Sequence, residues 1–188
     1  MLKDLILKNR SCRRFYQENK VDIETLRELV DLARLSPSAQ NLQPLKYILS
    51  TDPEKNKLIF SCLTWAGYLK DWSPPEGERP AAYILILGDK RIASSFTYDA
   101  GIAAQSILLG AREKDLAGCI LGSVQREKIR GLLKIPEQYE ILLAIALGKP
   151  KEKVVLEEVG PDGDIKYWRD SEGVHHVPKR SLEELIIG

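Results

Sequence analysis

Ala81 to Leu87 reads Ala-Ala-Tyr-Ile-Leu-Ile-Leu, seven residues without a charge, bounded by Pro80 and Gly88. A short apolar run between two such breakers is a strand that water touches on neither face, so it belongs at the centre of a sheet. Tyr139 to Leu147 reads as a second core strand, after which Gly148-Lys149-Pro150 closes the compact body. Between them, Phe96 to Ala111 is apolar round most of its circumference, and a helix of that kind has to be covered on all sides. Ala100, Gly101, Ala103, Ala104 and Gly110 allow close approach, so part of the cover is expected from a second subunit. Asp99 and Ser106 read as satisfied buried polar groups, while Gln105 is either that or a ligand contact.

The shorter elements follow from local patterns. Leu2, Leu5 and Ile6 stand at helical spacing. Asp22 can cap a helix carrying Leu26, Leu29, Val30 and Ala33, which must stop near Ser36 because Pro37 follows. Leu45 to Ser50 alternates as a strand, and Pro53 opens a helix with Leu58, Ile59, Cys62 and Leu63 on one face. Trp65, Tyr68 and Trp72 precede a proline-rich loop, Ser73 to Pro80; such aromatics roof a pocket or pack beneath the loop. Ala117 to Leu121 reads as a strand leading through Gly122-Ser123 into a helix with Ile129, Leu132 and Leu133. That start presents free N–H groups to a carbonyl or anion, or else Ser123 is an unoccupied N-cap.

One domain is expected for 188 residues, with a tail from 151 to 188. Tyr167-Trp168-Arg169 and Val174-His175-His176-Val177 flank a turn and read as a hairpin. Ser181 and Glu184 form a capping box that opens a final helix, with Lys179 and Arg180 at its start, well placed for a phosphate. Such a tail has little to pack on locally, so it is expected on a partner subunit. Adjacent histidines on a strand face opposite ways, which argues against a metal site at His175 and His176.

The 28 basic and 27 acidic residues nearly cancel, which disfavours a nucleic acid or an anionic membrane as partner. No apolar run reaches membrane-spanning length and Met1-Leu2-Lys3-Asp4 does not open a signal peptide, so a cytoplasmic location is expected. Cys12, Cys62 and Cys119 have neither disulfide nor zinc spacing.

Two stretches carry the chemistry. Arg10-Ser11-Cys12-Arg13-Arg14-Phe15 can hold a phosphate by guanidinium and hydroxyl contacts, or be a solvated basic turn. Ser36-Pro37-Ser38-Ala39-Gln40-Asn41-Leu42-Gln43-Pro44 gathers hydroxyls and amides without a charge, as suits the edge of a planar neutral ligand, though such side chains commonly bond their own backbone. No dinucleotide fingerprint, phosphate-binding P-loop, nucleophile elbow or zinc-peptidase motif is present, nor an obvious nucleophile, base and orienter set. Anion-binding arginines with no reactive group of the chain's own fit a protein whose bound organic cofactor does the chemistry.

The two stretches resemble the N-terminal signatures of FMN-dependent nitroreductases. Asp99-x-Gly101, Gln105, Gly118 to Gly122 and Ala146 to Pro150 are similar to later landmarks of that family in the same order. The resemblance implies an α+β sandwich in an intertwined homodimer, with FMN at each subunit interface. It implies that Arg10, Ser11 and Arg13, joined by Arg180 and Lys179, hold the phosphate and ribityl end. Pro37, Ser38, Ala39 and Asn41 of the partner would line the isoalloxazine, with Leu121, Gly122, Ser123 and Gln105 along its edge. No residue of the chain is implied as catalytic, because flavin N5 takes hydride from NADH or NADPH and passes electrons by ping-pong to a nitroaromatic, a quinone or an unidentified acceptor. A non-catalytic flavin-binding or sensing protein is the alternative. Asn9, Ala39 and Leu45 depart from the arginine, serine and tryptophan frequent at those places.

Overall fold

The computed structural model describes residues 2–188; Met1, which opens the expected domain, lies outside them. In chain order the elements are α1 (Leu2–Lys8), β1 (Phe15–Tyr16), α2 (Ile23–Leu35), β2 (Leu45–Ser50), α3 (Pro53–Phe60), β3 (Ala82–Asp89) and α4 (Thr97–Glu113). They continue with β4 (Ala117–Leu121), α5 (Arg126–Leu133), β5 (Tyr139–Pro150), β6 (Val154–Glu158), β7 (Trp168–Arg169), β8 (His175–Lys179) and α6 (Leu182–Leu185).

All eight residues of β3 are buried. The reason is a helix layer on each side. Ala82, Ile84 and Ile86 pack with Leu26, Leu29 and Ala33 of α2 and Ala104 and Ile107 of α4. Tyr83, Leu85 and Leu87 point the other way, toward Ile59, Cys62 and Ile129. Each fully buried aliphatic side chain contributes on the order of 2 kcal/mol, so a charge placed between Ala82 and Leu87 would disrupt a core, whereas Asp89 at the strand's end is paired with Arg91. The sheet order is β1-β5-β3-β2, with β4 also pairing β5, and every pairing is antiparallel. The long β5 organises it: Ile141 to Leu147 lies against β3, Ala144 to Gly148 against β4, and Lys149 and Pro150 against β1. The strand therefore continues through the Gly-Lys-Pro segment read as its end. Gly148 packs closely there, and an added Cβ would sit 3.0 Å from the buried Phe15 ring.

Three local expectations are corrected. The third helix ends at Phe60, so Cys62 and Leu63 are buried in the turn beyond it, and Leu58, about 100° round the helix from the buried Ile59, stays largely exposed. The fifth helix begins at Arg126 with Gln125 at its N-cap, leaving Ser123 outside it. Asp22 holds the N-cap place of α2, yet its side chain makes no capping bond.

From β6 to β8 the tail forms a small sheet on its own chain. β6 and β8 pair in parallel, and β7 and β8 form the expected hairpin with Arg169 opposite His175. The small sheet is fastened to the body by aromatics: Tyr167 against Tyr68 at 4.9 Å between centroids, and Arg169 over the Trp72 ring at 4.0 Å. Trp65 is buried against Phe60. The aromatic cluster is thus packing. The capped final turn, α6, and the residues after it stand free, with Leu182, Leu185, Ile186 and Ile187 all exposed.

Candidate functional site

The segment carrying Arg10 to Arg13 lies along the outer edge of β4. Ser11 bridges Gly118 in parallel, and Cys12 N donates to Gly118 O at 2.9 Å. β4 pairs only with β5, so beyond this bridge its edge is open as far as Leu121. Gly118 lets β4 pack closely on β5 and α4, because a Cβ there would meet Ala146 O at 2.5 Å and the Leu108 side chain at 2.6 Å. From Gly118 to Ser123 the chain spans at most about 17 Å at the rise of an extended strand. Gly122 and Ser123 at the far end are exposed, and no hydrogen bond engages their N–H groups among the described residues.

The three arginines have different duties. Arg14 is spent on Glu78, through Nε at 2.5 Å and Nη2 at 2.9 Å, and with help from Lys151 it holds that carboxyl down to about 2. Arg10 donates Nη2 to Ile6 O at 2.8 Å, while its Nε is buried without a partner. Burial pulls its guanidinium below the ordinary value, and no carboxylate compensates. Arg13 also has a buried, unpartnered Nε, but the rest of the residue is committed to the tail. Its main-chain N donates to Glu152 Oε2 at 2.8 Å, Nη1 meets His175 Nε2 at 3.3 Å, and the guanidinium lies over Tyr167.

Of these tail residues, Glu152 is not singled out in the sequence, and Tyr167 and His175 read there only as hairpin residues. Glu152 is fully buried and takes Arg169 Nε at 3.0 Å and Nη2 at 2.5 Å. His175 is buried beside them, its imidazolium pushed down to about 4 chiefly by desolvation, so at neutral pH it can accept from Arg13. His176 faces the opposite side and meets Glu157 and Asp170. Among the described residues no cluster could hold a metal ion.

The neutral loop departs in part from its expected role. Ser38 is used internally: Oγ donates to Asp99 Oδ1 at 2.5 Å and accepts from Gln43 N at 2.9 Å, while Ala39 N donates to the same carboxylate. Ser36 Oγ donates to Leu32 O and meets Ser106 Oγ at 2.7 Å, so Asp99 and Ser106 are the satisfied polar groups the helix pattern required. The Ser38 hydroxyl is therefore not free for a ring system. Pro37 lines a cavity of about 230 Å³ together with Tyr47, Asp99 and Ala103, while Ala39 and Asn41 are exposed on the loop. Gln40, Asn41 and Gln43 all have φ between 51° and 56°, which costs about 1–2 kcal/mol for each non-glycine residue. The Ser38–Asp99 clamp holds that shape.

Within one chain the predicted groups fall into three places. Arg10, Ser11 and Arg13 share the β4 edge with Leu121, Gly122 and Ser123. Pro37 and Ser38 line the separate loop cavity, and Ala39 and Asn41 stand exposed on the same loop. Lys179 ends β8, Arg180 is exposed and paired with Glu184 at 3.4 Å, and no contact joins either to Arg10 or Arg13 among the described residues. Gln105 is exposed on α4 in line with Tyr98, Gly101 and Ile102, and this stripe is the one side of the apolar helix that the chain leaves uncovered.

Solved structures share this layered arrangement. The FMN-dependent nitroreductase of Clostridium difficile R20291 superposes with a TM-score of 0.67 at 27% identity over 79% of this chain and 87% of that one. The fold is of the mixed α+β nitroreductase type. The Nitroreductase family profile matches residues 6–65 and 68–149, and the chain belongs to that family. An Archaeoglobus fulgidus protein with the provisional name NADH dehydrogenase/NAD(P)H nitroreductase is 30% identical over 149 residues, 74% of this chain and 80% of its own. The NADH dehydrogenase of Thermus thermophilus is 26% identical, over 89% of this chain and 95% of its own.

Proposed function

We propose that the chain is an FMN-dependent NAD(P)H oxidoreductase that works as a homodimer. The observation that carries this reading is the β4 edge: two buried guanidinium Nε–H groups without an acceptor at one end, two unused main-chain N–H groups at the other. The span between them suits a phosphate tail leading to a planar ring. Nothing among the described residues satisfies the Nε donors of Arg10 and Arg13, and a phosphate ester would.

In this reading Arg10, Ser11 and Arg13 hold the phosphate, with Lys179 and Arg180 reaching it from the tail of a partner copy. Glu152 and His175 act through Arg13 by fixing where its guanidinium stands. The Gly122 and Ser123 N–H groups would donate to the ring edge and stabilise negative charge on a reduced flavin, as oriented donors that need no rearrangement. Pro37, Ala39 and Asn41 come from the partner's loop, whose left-handed turn presents backbone and amide groups without introducing a charge. The Tyr98–Gly101–Ile102–Gln105 stripe and the exposed leucines and isoleucines after Ser181 supply the apolar contact between copies. Bound FMN supplies the hydride-accepting centre, fed by NADH or NADPH and emptied in the same open slot by a nitroaromatic, quinone or other small acceptor.

Purified protein is expected to be yellow and to bleach anaerobically on addition of NADH or NADPH. Arg10→Ala is expected to weaken FMN retention about thirtyfold, the loss of a charge-assisted contact worth about 2 kcal/mol. Yellow protein that neither nucleotide bleaches would leave a flavin-binding protein without turnover. Protein that cannot take up FMN would refute the proposal outright.

A further inference from the structure

A cavity of about 530 Å³ lies between the turn leading into α2, the start of α3 and the residues before β3, and shares no lining residue with the β4 edge or the neutral loop cavity. Two of its polar groups are buried and unspent. Tyr83 is 1% exposed and its hydroxyl has no partner. Arg79 covers the Phe60 ring at 4.4 Å and pairs Nη1 with Glu76 at 2.7 Å, yet its Nε is buried and unpartnered. Asn56, the other buried polar residue of the wall, is already satisfied by Ala81 O and Ser50 Oγ.

The unspent groups are donors. Arg79 Nε–H can only donate, and burial drives the Tyr83 hydroxyl's pKa upward, keeping it a phenol that donates to any acceptor offered. Nearby, the first-turn N–H groups of α2 lack a side-chain cap. The apolar part of the wall is made by the rings of Phe60, Pro53 and Pro80 with Val21, Ile23 and Ala81. A matching ligand brings two acceptor atoms at one end and a flat apolar body. One negative charge suits the site better than two, because Arg79 is shared with Glu76, Lys57 is paired with Glu54, and the lining includes the carboxylates of Glu18 and Asp22 as well as Lys20.

We propose that this cavity binds a small aromatic carboxylate, with Tyr83 Oη–H and Arg79 Nε–H donating to its two oxygens and its ring lying among Phe60, Pro53 and Pro80. The site is independent of the flavin reading, and ligand and FMN are expected to bind at once.

The test titrates FMN-loaded, ¹⁵N-labelled protein with 2-naphthoate and with its neutral twin, 2-naphthamide. The acid is expected to bind with a Kd below about 1 mM, shifting the amides of Val21 to Ile23, Asn56 and Arg79, and the amide about tenfold more weakly. Tyr83→Phe and Arg79→Gln are each expected to lower affinity for the acid about five- to tenfold, one hydrogen bond apiece, with nucleotide bleaching of the flavin unchanged. If Tyr83→Phe does not fold, Arg79→Gln decides alone. No binding at all, equal binding of acid and amide, unchanged affinity in the variants, or shifts confined to residues 36–44 and 118–123 would each overturn the assignment.

Discussion

Glu152→Ala tests how the tail and the arginine segment are held together. The buried carboxylate receives three donors, Arg13 N at 2.8 Å and Arg169 Nε and Nη2 at 3.0 and 2.5 Å. Hydrogen bonds to a charge contribute about 1.5–3 kcal/mol each, but their sum overstates the loss. Arg169 keeps its place over Trp72 at 4.0 Å, a contact worth about 1–2 kcal/mol, and water can enter the vacated space. Removing one side of a buried ion pair costs about 3–5 kcal/mol, and with the stacking retained the lower end, about 3 kcal/mol, is expected. Neither Arg13 nor Arg169 belongs to the clusters that pack the central sheet, so the cost falls on docking of β6 to β8. Three kcal/mol is about a hundredfold in the opening equilibrium. Hydrogen exchange measures it directly: the amides of His175, bonded to Lys153 O, and Val159, bonded to Lys179 O, should exchange about a hundredfold faster, while β3 amides keep their protection. Unchanged exchange at His175 and Val159, or an equal loss throughout β3, would refute the idea that Glu152 is a local fastening.

Ile102→Glu places a charge in the exposed stripe of α4 and is expected to convert a dimer to a monomer, read as a halved mass by light scattering, without lowering the protein's helix content. Two histidines give opposite pH signatures. His175 is held below its unfolded value by burial, so between about pH 6.5 and 4 the unfolded chain binds more protons and stability falls as the solution is acidified; urea midpoints across that range measure it, and His175→Gln should flatten the slope. The Glu157 and Asp170 carboxylates raise His176, so its contribution is fully present below about pH 6.5 and is lost as pH rises through its folded value. His176→Gln should therefore lower the urea midpoint more at pH 6 than at pH 8.5.

Much of this protein was legible in short stretches of chain. The apolar run at 81–87, the stop enforced by Pro37, the capping box at Ser181 and the opposed faces of His175 and His176 all follow from periodicity and from residues that restrict the backbone within a few positions. The arginine segment and the neutral loop were legible as chemistry for the same reason: their composition is local. What they touch was not. Arg13 is tied to Glu152 across 139 positions and Ser38 to Asp99 across 61, and no local pattern distinguishes Glu152 from the charged residues around it. Only the folded chain decided that one arginine is spent on Glu78, that the Ser38 hydroxyl turns inward, and that the tail returns to its own body. Buried charges and hydroxyls must find partners wherever the packed elements leave them, and which partners are within reach is set by how the layers stack.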